Sequence, residues 1–187
     1  SSCAECNRLP MLRHVLVDAA SWALAGVFAV AAAHKIRNHL EFRGILDQYR
    51  IIPVPLVPFA APLVVALECA VCLMLIVPPW RWLGGLLAAG LLLLYGAAIA
   101  INLYGRGRTA MDCGCGGEAT PLSGWLLLRN GLLALLACSP WLVASSAPGG
   151  WAGVVLAALM TVLLWLSYAL GNQLLANQGR TLESVHG

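Results

Sequence analysis

Two cysteines one glycine apart, Cys113 and Cys115, stand in the polar stretch Asp112-Cys113-Gly114-Cys115-Gly116-Gly117. A pair this close can close a small, strained disulfide, and strain raises the reduction potential, which suits exchange better than stapling. Arg106 and Arg108 just upstream favour the thiolate, the reactive form of the group. Capture of a soft ion such as Cu(I) is a second chemistry open to the same thiols. The plainest alternative is a glycine-rich turn that happens to hold two cysteines. On the redox reading Cys113 and Cys115 are the catalytic pair, and no resident metal is expected.

The other cysteines are Cys3, Cys6, Cys69, Cys72 and Cys138. Their total of seven is odd, so at least one thiol has no internal partner. Reactive C-x-x-C pairs usually open a helix, where free N–H groups stabilise the thiolate. Cys69-x-x-Cys72 falls in the middle of an apolar run instead, which favours packing. A second thiol station built from Cys69, Cys72 and Cys138 is the alternative, because at about 1.5 Å per residue Cys72 and Cys138 lie nearly level across their two helices.

Ionisable side chains inside a bilayer are expensive and are functional suspects by default. Glu68 and Arg129 both fall within apolar runs. By helical rise they differ in depth by about 6 Å, which an arginine can bridge. An interhelical Glu68–Arg129 pair is therefore expected, with Asn130 adding hydrogen bonds. His34-Lys35, closing the first run, reads as an interfacial anchor.

These residues need a scaffold, and composition says what it is. Apolar residues make up 60% of the 187 and charged ones 10%, with mean hydropathy +0.83. A soluble domain keeps roughly a quarter of its residues charged, so the chain is an integral membrane protein. A net charge of +3 and the lack of a basic tract with interleaved aromatics argue against nucleic acid as a partner. The basic residues sit beside the apolar runs, as residues that fix orientation do.

The apolar runs are Val15–Ala33, Val57–Val77, Trp82–Leu103, Leu122–Leu142 and Trp151–Leu175. Each approaches the roughly 20 residues a helix needs to cross the hydrocarbon. In lipid each must be helical, since an unpaired backbone group finds no water there. Between the first two, Phe42, Ile45, Leu46 and Tyr49 share one helical face, and Arg43, Asp47 and Gln48 lie elsewhere round it. That is an amphipathic, interfacial helix, ended by Ile51-Ile52-Pro53-Val54-Pro55. Gly84, Gly85, Gly90 and Gly96 allow close helix approach in the third span.

The predicted class is an all-α integral membrane protein, a bundle of about five transmembrane helices with one interfacial amphipathic helix between the first two. Residues 1–14 form an N-terminal tail, 15–175 a single transmembrane domain and 176–187 a polar tail. Met11-Leu12-Arg13-His14 reads as a natural start, which sets residues 1–10 apart, and no cleavable signal peptide is evident. Orientation is pulled two ways. Lys35, Arg37, Arg43, Arg50, Arg106 and Arg108 argue for a cytoplasmic hinge, whereas disulfide chemistry argues for a periplasmic one. The second is preferred.

Taken together, several pieces resemble the methylamine-utilisation MauE family, within the wider DoxX-like group of small helical membrane proteins. They are His34-Lys35, the Phe42…Tyr49-x-Ile51-Ile52-Pro53 segment, Glu68, Asp112-Cys113-Gly114-Cys115-Gly116 and Arg129-Asn130. The resemblance runs from about Ala19 to Leu142 and extends toward the fifth span; its specific parts are the cysteine hinge and the Arg-Asn pair. It implies a bacterial inner-membrane protein that helps mature the small subunit of methylamine dehydrogenase, a disulfide-rich periplasmic protein with a quinone built from its own tryptophans. It also implies work with MauD, a thioredoxin-like, membrane-anchored partner. A thiol relay at the hinge would make the chain a thiol-disulfide oxidoreductase, with a membrane quinone as the natural electron acceptor. The rival readings are a non-redox assembly or translocation factor and a small transporter with a Glu68/Arg129 midplane site.

Overall fold

A computed structural model of the chain describes residues 2–107, 123–142 and 151–186. Every regular element among them is helical. The helices are α1 (Ser2–Arg37), α2 (His39–Tyr49), α3 (Val57–Ile76), α4 (Arg81–Ala100), α5 (Gly124–Ala137) and α6 (Trp151–His186). Among the described residues four stretches are long and apolar enough to cross a membrane: Met11–Arg37, Val54–Ile76, Pro78–Gly105 and Trp151–Gly171. The remaining predicted span corresponds to α5, whose 14 residues continue into a 3-10 turn over Ser139–Leu142. Alone, α5 rises only about 21 Å, so the turn is needed to approach the hydrocarbon thickness of about 30 Å. The expected all-α membrane protein is what the chain forms.

Sequence explains where the helices stop. Arg50 adopts a left-handed conformation (φ 49°) and its N–H returns to the Asp47 carbonyl, closing α2. Pro53, with extended ψ, redirects the chain into the short turn before α3, because proline fixes φ and offers no N–H. Pro78-Pro79-Trp80 makes the tight turn between α3 and α4. At the far end of α4 the helix widens into a π turn over Ile101–Gly105 that carries the fully buried Asn102. Single π turns recur at functional sites in other proteins.

The core is assembled from α1, α3, α4 and α5. Leu24, Ala25 and Phe28 meet Val71, Leu75, Ala88, Leu91, Leu92, Ala134 and Ala137 there. Two of the expected glycines permit the approach. A Cβ on Gly84 would lie 2.9 Å from the Leu75 backbone nitrogen, and one on Gly85 would collide with the Ala137 carbonyl oxygen. Gly90 faces open space and does not serve this purpose. At this end of the bundle Arg81 pairs with Asp18 and donates to the Leu75 carbonyl at 3.1 Å, while Trp141 Nε1 donates to the Trp82 carbonyl at 3.2 Å. These contacts tie the middle of α1 and the start of α4 to the end of α3 and the turn after α5.

Helix α6 leans on α1, where Thr161 Oγ1, which donates to the Ala157 carbonyl of its own helix at 2.8 Å, lies 3.3 Å from the Ala19 carbonyl, and the Trp165 ring covers Gly26. Most of its other side chains over residues 151–171, among them Val155, Leu159, Leu163 and Leu166, are exposed. An apolar face without protein cover is what lipid contact requires.

Candidate functional site

Helix periodicity selects the residues that turn inward at the centre of the bundle. On α1, Ala25, Phe28, Ala32 and Lys35 are buried at successive spacings of three and four, so Lys35 belongs to the core face. On α3 the same rule aligns Val57, Ala61, Glu68, Val71 and Leu75. On α4 it aligns Ala88, Leu92, Tyr95 and Ile99, with Tyr95 only partly buried. The three inward polar groups meet.

Lys35 Nζ donates to Glu68 Oε1 at 2.6 Å, and Tyr95 OH donates to the same oxygen at 2.8 Å. The Lys35 and Glu68 side chains are 5% and 0% exposed, so the pair is shut away from solvent. The ammonium also stands 5.3 Å from the centre of the Phe42 ring and 5.6 Å from that of Tyr95. At such distances an aromatic face attracts a cation. The other carboxylate oxygen, Glu68 Oε2, is buried and has no hydrogen-bond partner among the described residues. Burying an ion pair is favourable only where geometry and extra hydrogen bonds offset lost hydration. One oxygen here is doubly satisfied, and the other is left with capacity.

This corrects two expectations. Glu68 takes Lys35 and Tyr95 as partners rather than Arg129, whose guanidinium lies over the Tyr168 ring at 5.9 Å. Lys35 is no interfacial anchor: at 4% exposure it points into the bundle, while its neighbour His34 bonds Asn38. Depth along the helices was the basis for joining Glu68 to Arg129, and depth does not say which neighbour a side chain faces. The signal available for Lys35 was its phase with Phe28 and Ala32. For Tyr95 it was the lone hydroxyl between Trp82 and Asn102. Asn130 is buried on α5, its Nδ2 without a partner among the described residues.

Amphipathic α2 flanks this centre, with Phe42 and Tyr49 buried as its spacing predicts. Phe42 lies beside Lys35, and Tyr49 packs with Ile99 and Leu126 near the end of α4. The distance from Tyr95 to Arg106 along α4, and from Glu68 back to Val57 along α3, is about 16 Å by helical rise. The 11 residues of α2 span about the same interval; α2 lies beside α3 and reaches the end of α4 through Ile45 and Tyr49. Arg106 secures the far end: Nη1 donates to the Tyr49 carbonyl and to Asn102 Oδ1, and Nη2 to the Arg50 carbonyl.

Cys113 and Cys115 lie outside the described residues. Tyr104 and Gly124, described residues before and after that stretch, sit together, since a Cβ on Gly124 would be 3.5 Å from the Tyr104 hydroxyl. Cys69, Cys72 and Cys138 are free thiols. Cys69 faces outward from α3, Cys72 packs against the core, and Cys138 Sγ donates to the Ala134 carbonyl at 3.4 Å. Among the described residues no cluster of His, Cys, Asp and Glu could hold a metal.

Comparison with known proteins agrees with the sequence pattern. The family described as "Methylamine utilisation protein MauE" matches residues 13–143. The methylamine utilization protein MauE of Paracoccus denitrificans is 38% identical over 168 residues, covering 84% of this chain and 89% of its own. That of Paracoccus versutus is 34% identical over 154 residues, 79% of this chain and 82% of its own. The MauE of Methylophilus methylotrophus is 42% identical over 104 residues, 56% of this chain and 54% of its own. No solved structure matches the chain significantly. With a family match across most of its length, carried through the spans that hold Lys35, Glu68 and Tyr95, the chain belongs to the methylamine utilisation protein MauE family.

Proposed function

We propose that this multi-pass membrane protein serves methylamine utilisation by supporting disulfide formation in the small subunit of methylamine dehydrogenase. In this reading Cys113 and Cys115 exchange disulfides with a MauD-like thioredoxin-fold partner on the periplasmic side of the bacterial inner membrane. Family membership supports the methylamine role. The observation that carries the site is the anchoring of both chain ends that flank the dithiol. Arg106 is held by the carbonyls of Tyr49 and Arg50, and Gly124 abuts Tyr104. Described residues on both sides of the dithiol thus lie at one end of the bundle, which supports exchange at that end.

Exchange proceeds through a mixed disulfide. A thiolate of the reduced partner attacks the Cys113–Cys115 disulfide and forms a mixed disulfide; the partner's second thiolate then attacks its own linked sulfur, so the partner leaves oxidised and Cys113 and Cys115 are left as thiols.

The test is a Cys113→Ser, Cys115→Ser and double-substitution series in cells that also make the partner and the secreted subunit. With one cysteine removed, the other forms a mixed disulfide with the oxidised partner that no neighbouring thiol of this chain can release, a covalent complex seen without reductant and absent with it. Removing both abolishes the complex and leaves the membrane protein folded. Normal disulfides in the secreted subunit of the double variant would overturn the reading in favour of a non-redox assembly factor.

A further inference from the structure

A cavity of about 310 Å³ lies between α2, α3 and α4. Ile45, Leu46, Val64, Leu67 and Ala98 are among its apolar walls, and its only lining residues with polar side chains are Lys35, Tyr49 and Tyr95. Leu63 and Leu94, also in the lining, are 59% and 66% exposed. They flank an opening from the cavity sideways into the region of lipid.

The chemistry at the closed end restricts the occupant. Among the described residues Lys35 spends its one hydrogen bond on Glu68, and an ammonium carries three N–H groups. Donors therefore remain, and the surrounding walls are almost entirely hydrocarbon. Glu68 already balances the charge of Lys35, so an anionic head would leave the buried site net negative and a cationic head net positive, each at a high desolvation penalty. A plain acyl chain would suit the walls and leave the lysine donors unmet. A neutral head with carbonyl acceptors suits both, and the Phe42 and Tyr95 rings within 6 Å of Nζ offer faces for a flat ring.

We infer that this cavity binds an isoprenoid quinone, a ring carbonyl accepting from Lys35 and the tail leaving between Leu63 and Leu94. The use made of it rests on the exchange reading. When Cys113 and Cys115 close a disulfide they release two electrons and two protons. The quinone takes both electrons and both protons and leaves as quinol, so the cycle needs no other oxidant.

The full-length protein, purified in detergent and depleted of lipid, is dialysed against decylubiquinone. Saturable, one-to-one binding is expected, unaffected by excess phospholipid and intact in the Cys113→Ser/Cys115→Ser variant. Leu94→Trp and Ala60→Phe, which narrow the cavity from its rim without touching the ion pair, should weaken it about tenfold or more. Partitioning that never saturates, binding that both variants leave unchanged, or displacement by phospholipid alone would overturn the site. Anaerobic mixing of reduced protein with the quinone then reads the acceptor role: quinone absorbance falls with the wild type and not with the double serine variant. Saturable binding without that fall overturns the acceptor role and upholds the site. Normal substrate disulfides in the double variant, with binding intact, overturn the exchange reading alone.

Discussion

Lys35 and Glu68, 33 residues apart in the chain, meet at 2.6 Å where neither side chain reaches solvent. They lock α1 to α3, and Tyr95 brings α4 to the same carboxylate oxygen. The pair is thus a three-helix junction as well as the polar end of the cavity.

Breaking such a pair from one side strands a buried charge. Lys35→Met or Glu68→Gln is expected to destabilise the protein by about 3–5 kcal/mol, and Lys35→Met with Glu68→Leu to recover much of that loss. Glu68→Gln combined with Arg129→Met should be close to additive, because the two side chains contact different partners. Thermal unfolding of the detergent-solubilised variants checks both cycles. Additive losses for Lys35 and Glu68 would contradict the junction.

Close packing at the opposite end predicts a contrast between two glycines of one helix. An Ala at Gly85 would drive its Cβ into the Ala137 carbonyl oxygen, and Pro140 Cγ stands only 3.3 Å from the same point. Gly85→Ala should therefore lower stability by about 1–3 kcal/mol through overpacking. Gly90→Ala, which meets nothing within 4 Å, should be neutral or slightly stabilising. Their melting temperatures, measured side by side, separate the two cases.

Arg106, which clamps the end of α2, is itself exposed, so its loss acts locally. Arg106→Ala should cost only about 1 kcal/mol in global stability. Backbone amide exchange over residues 42–52 should nevertheless speed up relative to α3 and α4. Uniform exchange across all three helices would mean that α2 is held by its buried aromatics alone.

Orientation has a direct readout at Ser123, which caps α5 in an extended conformation. In a background lacking Cys113 and Cys115, Ser123→Cys is expected to react with an impermeant maleimide applied to the periplasm of intact cells. Reaction only after the inner membrane is broken would reverse the proposed topology and remove the oxidising compartment from the exchange reading.

Much of this architecture is written in one dimension. The length of an apolar run encodes a span directly, because backbone polar groups in lipid must pair within their own helix. Hence Val57–Ile76 and Arg81–Ala100 fall almost where the apolar runs predict. The phase of Phe42 and Tyr49 announces the buried face of α2, and the cost of a carboxylate in hydrocarbon singles out Glu68 without any coordinates. Partners are another matter. Residue number converts to depth along a helix but not to the direction in which a side chain meets its neighbours. That direction depends on which helices touch and how closely, and glycine contacts such as Gly84 on Leu75 help set both. Lys35, placed at a helix end that suits an anchor, is turned inward by this packing, and Tyr95 is brought to the same oxygen. The cavity beside them exists only because α2 lies beside α3 and meets α4 near Ile99, a choice made by tertiary contacts at Phe42, Tyr49 and Arg106 rather than by local sequence.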